Sequence, residues 1–149
     1  MKANIIGRDP TNFGGFLYID KGIADSLNIN APVIIQNKLV GKIKSISEKI
    51  GIVETFENKG FSISAVDGKT GIYGIAKQDG DLTLEYLKLD DEINYGDSIF
   101  TSGLSEIFPK GILIGTVSEI KHNDELFFKK AVITPAIKIN KLNYVYVVY

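Results

Sequence analysis

Apolar residues in this chain come in short, β-branched runs in which apolar and polar positions alternate. In FSISAV, Phe61, Ile63 and Ala65 share one face while Ser62 and Ser64 share the other, the period of a half-buried strand. The pattern predicts strands over Phe16–Ile19, Pro32–Gln36, Leu39–Ile46, Gly51–Phe56, Phe61–Val66, Gly71–Lys77, Leu82–Leu89, Ser98–Thr101, Ile112–Ile120, Leu126–Thr134 and Leu142–Tyr149. Between them lie GRDPTN, NKG, DGKTG, QDGD, NYGD, FPKG and KHND. Their Gly and Asn tolerate positive φ, and Pro presets φ for the second position of a turn. Asp79-Gly80 is the strongest hairpin signal among them. Helical spacing is brief: Ile23 with Leu27, and Leu104 with Ile107 and Phe108, each fit a corner helix of a turn or two. The fold class is therefore all-β, a sandwich or barrel of short antiparallel strands with one or two short helical turns.

The runs also repeat. LVGKIKSI at Leu39–Ile46 aligns with LIGTVSEI at Leu113–Ile120, matching at Leu, Gly and the final Ile, and NINAPVII and EINYGDSIF form a related pair upstream. Two similar β modules follow, residues 1–70 and 71–149, with a seam near Lys69–Gly71. The terminal strand either stays in the second module or crosses back to the first. Gly41 and Gly115 fall inside strands, where glycine marks a bulge or a close backbone approach.

Composition narrows the function by exclusion. A net charge of −1 gives no field favouring nucleic acid or an anionic membrane, and the absence of Cys removes disulfides and thiolate metal sites. No run approaches the roughly 20 apolar residues of a bilayer span, so the chain is either a soluble protein or the soluble part of a longer one. A hydrolase needs a nucleophile, a base and an orienting group within reach of one another. The single histidine, His122, lies in a polar turn, and Ser102 in TSG lacks a G-x-S-x-G elbow and reads as a turn former. Asp90–Glu92 lacks the spacing of a calcium loop, and no phosphate-binding glycine loop precedes a helix. No catalytic, cofactor or metal residue is assigned, and no enzyme activity is expected. Lys38, Lys42 and Lys44 form a stripe, either a solvated strand face or a surface for an acidic partner. Phe127 and Phe128, adjacent on one predicted strand, point to opposite faces, so one must leave the core unless both faces are covered.

IIGRDPTNF, LYIDKG, APVIIQNKLVGKI and above all GDSIFTSGLSEIFPKGILIGTV resemble, in order, the signature stretches of the rod shape-determining MreC family, from about Asn4 to the C-terminus. The TSGL…IFPKG…GTV run is the most specific of these. The chain departs from the family at Asp25-Ser26, at Asn30-Ala31 and in SGLSEIF, where Asn30 can still take a left-handed turn position. The resemblance implies a pair of small β-barrels that follow a transmembrane helix and a coiled coil. Neither of those is in this sequence, so the chain is expected to be the soluble part of a longer, membrane-anchored protein. It further implies a periplasmic, non-enzymatic scaffold of the bacterial elongation machinery, without cofactor, that self-associates as a dimer or filament. Such a scaffold binds the class B penicillin-binding protein of side-wall peptidoglycan synthesis, and works with MreB, MreD and RodA. Binding anchors are usually exposed aromatics, which selects Tyr73, between two glycines in GIYGIA, with Phe127 and Phe128 as the expected partner surface. The lysine stripe is the second candidate. The alternative function is a module that binds cell-wall glycan or peptide directly, which the lack of Trp disfavours.

Overall fold

In the computed structural model, which describes residues 1–9, 15–105, 107–123 and 128–148, the alternating runs form twelve β-strands. They are β1 Lys2–Arg8, β2 Phe16–Ile19, β3 Pro32–Ile35, β4 Lys38–Ile46, β5 Gly51–Thr55, β6 Ser62–Asp67, β7 Tyr73–Asp79, β8 Asp81–Lys88, β9 Ser98–Thr101, β10 Leu113–Asn123, β11 Phe128–Pro135 and β12 Tyr144–Val147. The chain divides into two units, Met1–Phe61 with Ile137–Tyr149, and Ser62–Ala136. The boundary thus falls at Phe61/Ser62 rather than at Lys69–Gly71, because β6 pairs with β7 and β9.

The first unit is a closed antiparallel ring in the order β1-β2-β5-β4-β3-β12, with β12 returning to β1. Its interior is filled by Leu17, Ile19, Val33, Leu39, Val40, Ile43, Val53 and Val145, all at most 2% exposed. The second unit is a closed antiparallel ring in the order β7-β8-β11-β10-β9-β6, with β6 returning to β7. Ala65, Ala76, Leu84, Leu87, Ile99, Ile114, Ala131 and Ile133 fill it. Closure leaves neither ring an unpaired edge strand.

The two rings correspond strand for strand. β1 to β5 occupy the places of β7 to β11, and β12 stands in the first ring where β6 stands in the second. The chain therefore reads as two consecutive six-strand copies whose last strands are exchanged, each copy's sixth strand completing the other's barrel. Backbone detail supports the match. Both β4 and β10 carry two bulges, at Leu39/Gly41 and Ile43/Ser45 in one and at Leu113/Gly115 and Val117/Glu119 in the other. Ile43 exchanges bonds with the Asn30-Ala31 turn (Asn30 N–H to Ile43 O 2.8 Å, Ile43 N–H to Ala31 O 3.0 Å), and Val117 does the same with Gly96-Asp97 at 2.8 and 2.9 Å. Asn30 and Gly96 both have positive φ, 67° and 85°.

The structure departs from the sequence pattern at one strand and one corner. β1 leaves no clear mark in the sequence pattern, because in KANIIGR only Ala3 is fully buried and the alternation is weak. The short helical turns are 3-10 turns at Ile23–Asp25 and Ile139–Lys141. No helix forms at Leu104, Ile107 and Phe108, where Gly103 at φ 75° and Pro109 bracket an irregular corner. Gln36 and Asn37, both at positive φ, make the two-residue turn between β3 and β4.

Candidate partner-binding surface

The TSG…FPKG stretch is a corner held by one threonine. Thr101 Oγ1 donates to Pro109 O at 2.6 Å and accepts from the Ile112 N–H at 2.9 Å, while the Thr101 backbone bonds both Ile112 and Gly111. Ser102 is 6% exposed and its Oγ accepts from the Leu104 N–H, so its hydroxyl shapes the turn instead of facing a substrate. Thr101→Val keeps the volume but removes both side-chain bonds, stranding the buried Ile112 N–H and freeing the Pro109 carbonyl, which lies nearer solvent. It is expected to cost about 2–3 kcal/mol in urea unfolding. An unchanged midpoint would mean that the corner is held by something else.

Aromatic rings reach solvent on the second unit. Tyr73, at the start of β7 opposite Val66, is 53% exposed, and Phe128, at the start of β11 opposite Lys88, is 52% exposed. β8 lies between their strands. Phe127 lies outside the described residues. A third ring, which the sequence pattern missed, is Tyr86. It has a φ of 65° and sits where the β8–β11 register shifts between Leu84/Ala131 and Leu87/Lys129, and it is 66% exposed. Lys77 Nζ lies 5.7 Å from its ring centre. The structure gathers Phe128 with Tyr86: both line an open groove of about 250 Å³, with Glu85, Lys121, His122, Lys129 and Lys130. Tyr73 is not part of that lining.

Beneath the turn that leads to Tyr73 lies a buried carboxylate. Asp67 is fully buried; its Oδ1 accepts from the Lys69 and Thr70 N–H groups at 2.8 and 3.0 Å, and its Oδ2 has no donor among the described residues. Burial, and then a hydrogen bond to Asp97 that only the protonated carboxyl can make, hold it above the usual carboxylate range.

A model of the family described as Rod shape-determining protein MreC, barrel core, matches residues 5–149. The chain belongs to the MreC family. It is 32% identical over 152 residues to the cell shape-determining protein MreC of Listeria monocytogenes, covering 97% of this chain and 52% of that protein. The chain thus spans about half the length of that relative. The crystal structure of MreC from Pseudomonas aeruginosa superposes with a TM-score of 0.89 at 29% identity, covering 100% of this chain and 98% of that one. A structure described as a complex between penicillin-binding protein PBP2 and MreC from Helicobacter pylori shares the fold, with a TM-score of 0.79 at 19% identity, covering 97% and 93%.

The other expected surface of this MreC-family chain is less uniform than its sequence pattern. Lys44 pairs with Glu54 at 3.6 Å, Lys42 stands opposite Glu54 in the β4–β5 register, and Lys38 stands opposite Ile35. One carboxylate thus faces two of the three lysines. On the first unit, Tyr144 and Tyr146 meet edge to face at 5.9 Å, with Lys2 Nζ 4.5 Å above the Tyr144 ring, while Val145 and Val147 point inward.

Proposed function

We propose that this chain is the extracytoplasmic double-barrel region of a membrane-anchored, non-enzymatic scaffold. It maintains rod shape by binding the class B penicillin-binding protein that builds side-wall peptidoglycan, alongside MreB, MreD and RodA, and it self-associates. The observation that carries the reading is the exposure of Tyr73 and Phe128 on neighbouring parts of one barrel whose interior is already filled without them. Membership in a cell shape-determining family supports the scaffold role, and the Helicobacter pylori complex supports the choice of partner.

The test mixes the chain with the soluble part of the cognate penicillin-binding protein. Tyr73→Ala and Phe128→Ala are each expected to lose at least roughly 2 kcal/mol of binding with little change in melting temperature. Full affinity in both variants would remove the surface from the interface. Turnover of an ester or peptide substrate that Ser102→Ala abolishes would overturn the non-enzymatic reading. A second reading, direct binding of cell-wall glycan, is favoured by one feature: the Tyr144–Tyr146 pair with Lys2 forms an exposed aromatic platform. Retention on purified peptidoglycan that Tyr144→Ala abolishes would select it.

A further inference from the structure

The groove beside Phe128 carries a concentration of charge that its fold does not need. In the β10–β11 hairpin Lys121 stands directly opposite Lys130, and His122 opposite Lys129. Lys121 and Lys130 put like charges directly across an antiparallel pair, which destabilises it, and among the described residues none of these lysines is ion-paired. The chain as a whole has a net charge of −1, so the cluster is local. Tyr86, whose β8 backbone is held at φ 65°, adds a second local cost, since a bulky residue rarely takes that conformation. Two unfavourable features side by side, both serving to place cations and rings around one groove, mark a binding surface.

The chemistry of the lining selects the occupant. The lining combines two aromatic rings, Tyr86 and Phe128, with three ammonium groups, Lys121, Lys129 and Lys130. At about 250 Å³ the groove is smaller than the roughly 300–1,000 Å³ pockets that enclose a whole small molecule, and it suits one or two side chains. Glu85 also lines it, with one carboxylate oxygen accepting a hydrogen bond from the Thr83 hydroxyl at 2.9 Å. The phosphodiester groups of an anionic polymer are acceptors only, so they would be repelled by Glu85. A peptide brings backbone N–H groups for Glu85, carboxylates for the lysines and an apolar side chain for the aromatic rings. We propose that the groove lined by Tyr86, Phe128, Lys129 and Lys130 docks an acidic segment of a partner protein, anchored by one aromatic or large aliphatic side chain flanked by Asp or Glu. The proposal deepens the partner-binding reading, with which it shares Phe128, by naming the chemistry of the partner's contact.

The experiment uses the whole chain and a synthetic probe, so that it does not depend on the identity of the partner. Binding of a fluorescent peptide with one Phe flanked by Glu residues is measured against a peptide with Lys in place of Glu, and against inorganic polyphosphate. The Glu peptide is expected to bind, to weaken by about tenfold in Lys129→Glu and in Tyr86→Ala, and to weaken several-fold as salt is raised. The Lys peptide is expected to show no saturable binding. Equal binding of both peptides, or tighter binding of polyphosphate that Lys129→Glu abolishes while the Glu peptide does not bind, would overturn the proposal. Retained circular dichroism and melting temperature establish that each variant is folded. If the Glu peptide binds as expected while the penicillin-binding protein does not, the groove stands and the choice of partner falls. If the partner binds and the Glu peptide does not, the groove falls alone.

Discussion

Gly41→Ala and Gly115→Ala will each destabilise the protein by about 3 kcal/mol or more, at the upper end of the usual cost of overpacking. A Cβ at Gly41 would lie 2.0 Å from the Glu54 carbonyl oxygen, and one at Gly115 would lie 2.1 Å from that of Thr134. Both obstacles are backbone, so relief requires β4 to part from β5, or β10 from β11, where the register between them is unbroken. Each ring depends on those pairings for closure. Gly80→Ala is the control: nothing lies within 4 Å of its added methyl, and only its φ of 85° is strained, which costs on the order of 1 kcal/mol. Urea midpoints for the three variants separate crowding from conformational strain. If the Gly41 and Gly115 variants lose no more than the Gly80 variant, the close approach is not what holds the strands. The equivalence of the two barrels adds that the two losses should be similar.

Asp67→Asn will stabilise the protein at neutral pH. Burial and the bond to Asp97 raise the folded-state pKa of Asp67 above its ordinary value of 3.8. The folded state therefore holds this proton more tightly than the unfolded chain. Its contribution is fully present below about pH 3.8 and is lost as the pH rises through the folded value, the reverse of a salt-bridged carboxylate. At pH 7.5 the wild type carries the cost of a buried carboxylate whose Oδ2 lacks a donor. Asparagine keeps an acceptor for the Lys69 and Thr70 N–H groups and offers an N–H to Asp97. The expected gain is about 1–2 kcal/mol at pH 7.5, a rise of a few degrees in melting temperature, shrinking toward zero near pH 4. Asp67→Ala loses the acceptor as well and should fall below wild type at both pH values. An Asn variant that falls with it at pH 7.5 would show that the two N–H donors hold Asp67 as an ion.

Where local chemistry set the backbone, the sequence was legible. Ser98–Thr101 was bounded correctly because a polar turn precedes it and TSG follows, and FSISAV buried Phe61, Ile63 and Ala65 as its period requires. The aromatic surface was legible only in part. Phe128 and Tyr73 could be named because an adjacent Phe pair and a Gly-Tyr-Gly step both leave a ring poorly covered. Tyr86 could not. In LTLEYLK, strict alternation places Tyr86 on the inward face with Leu82 and Leu84; the bulge shifts the period by one, so Leu87 enters the core and Tyr86 turns out. A bulge that involves no glycine leaves no mark in composition. The lysine stripe met the same difficulty in reverse, since two bulges on β4 break its spacing and Glu54, from another strand, neutralises part of it.

Sequence alone was enough for the class of structure, the position of most strands and, through the TSGL…IFPKG…GTV run, the family. Each of these rests on residues close together in the chain, where period, turn propensity and motif spacing are fully expressed. Only the tertiary structure decided which strands pair. Alternation assigns a strand its inner face but not its neighbour, so nothing local required β12 to close the first ring and β6 the second. The same is true of Asp67 and Asp97, and of Tyr86 and Phe128, which are distant in sequence and acquire their chemistry only because barrel closure brings β6 beside β9 and β8 beside β11.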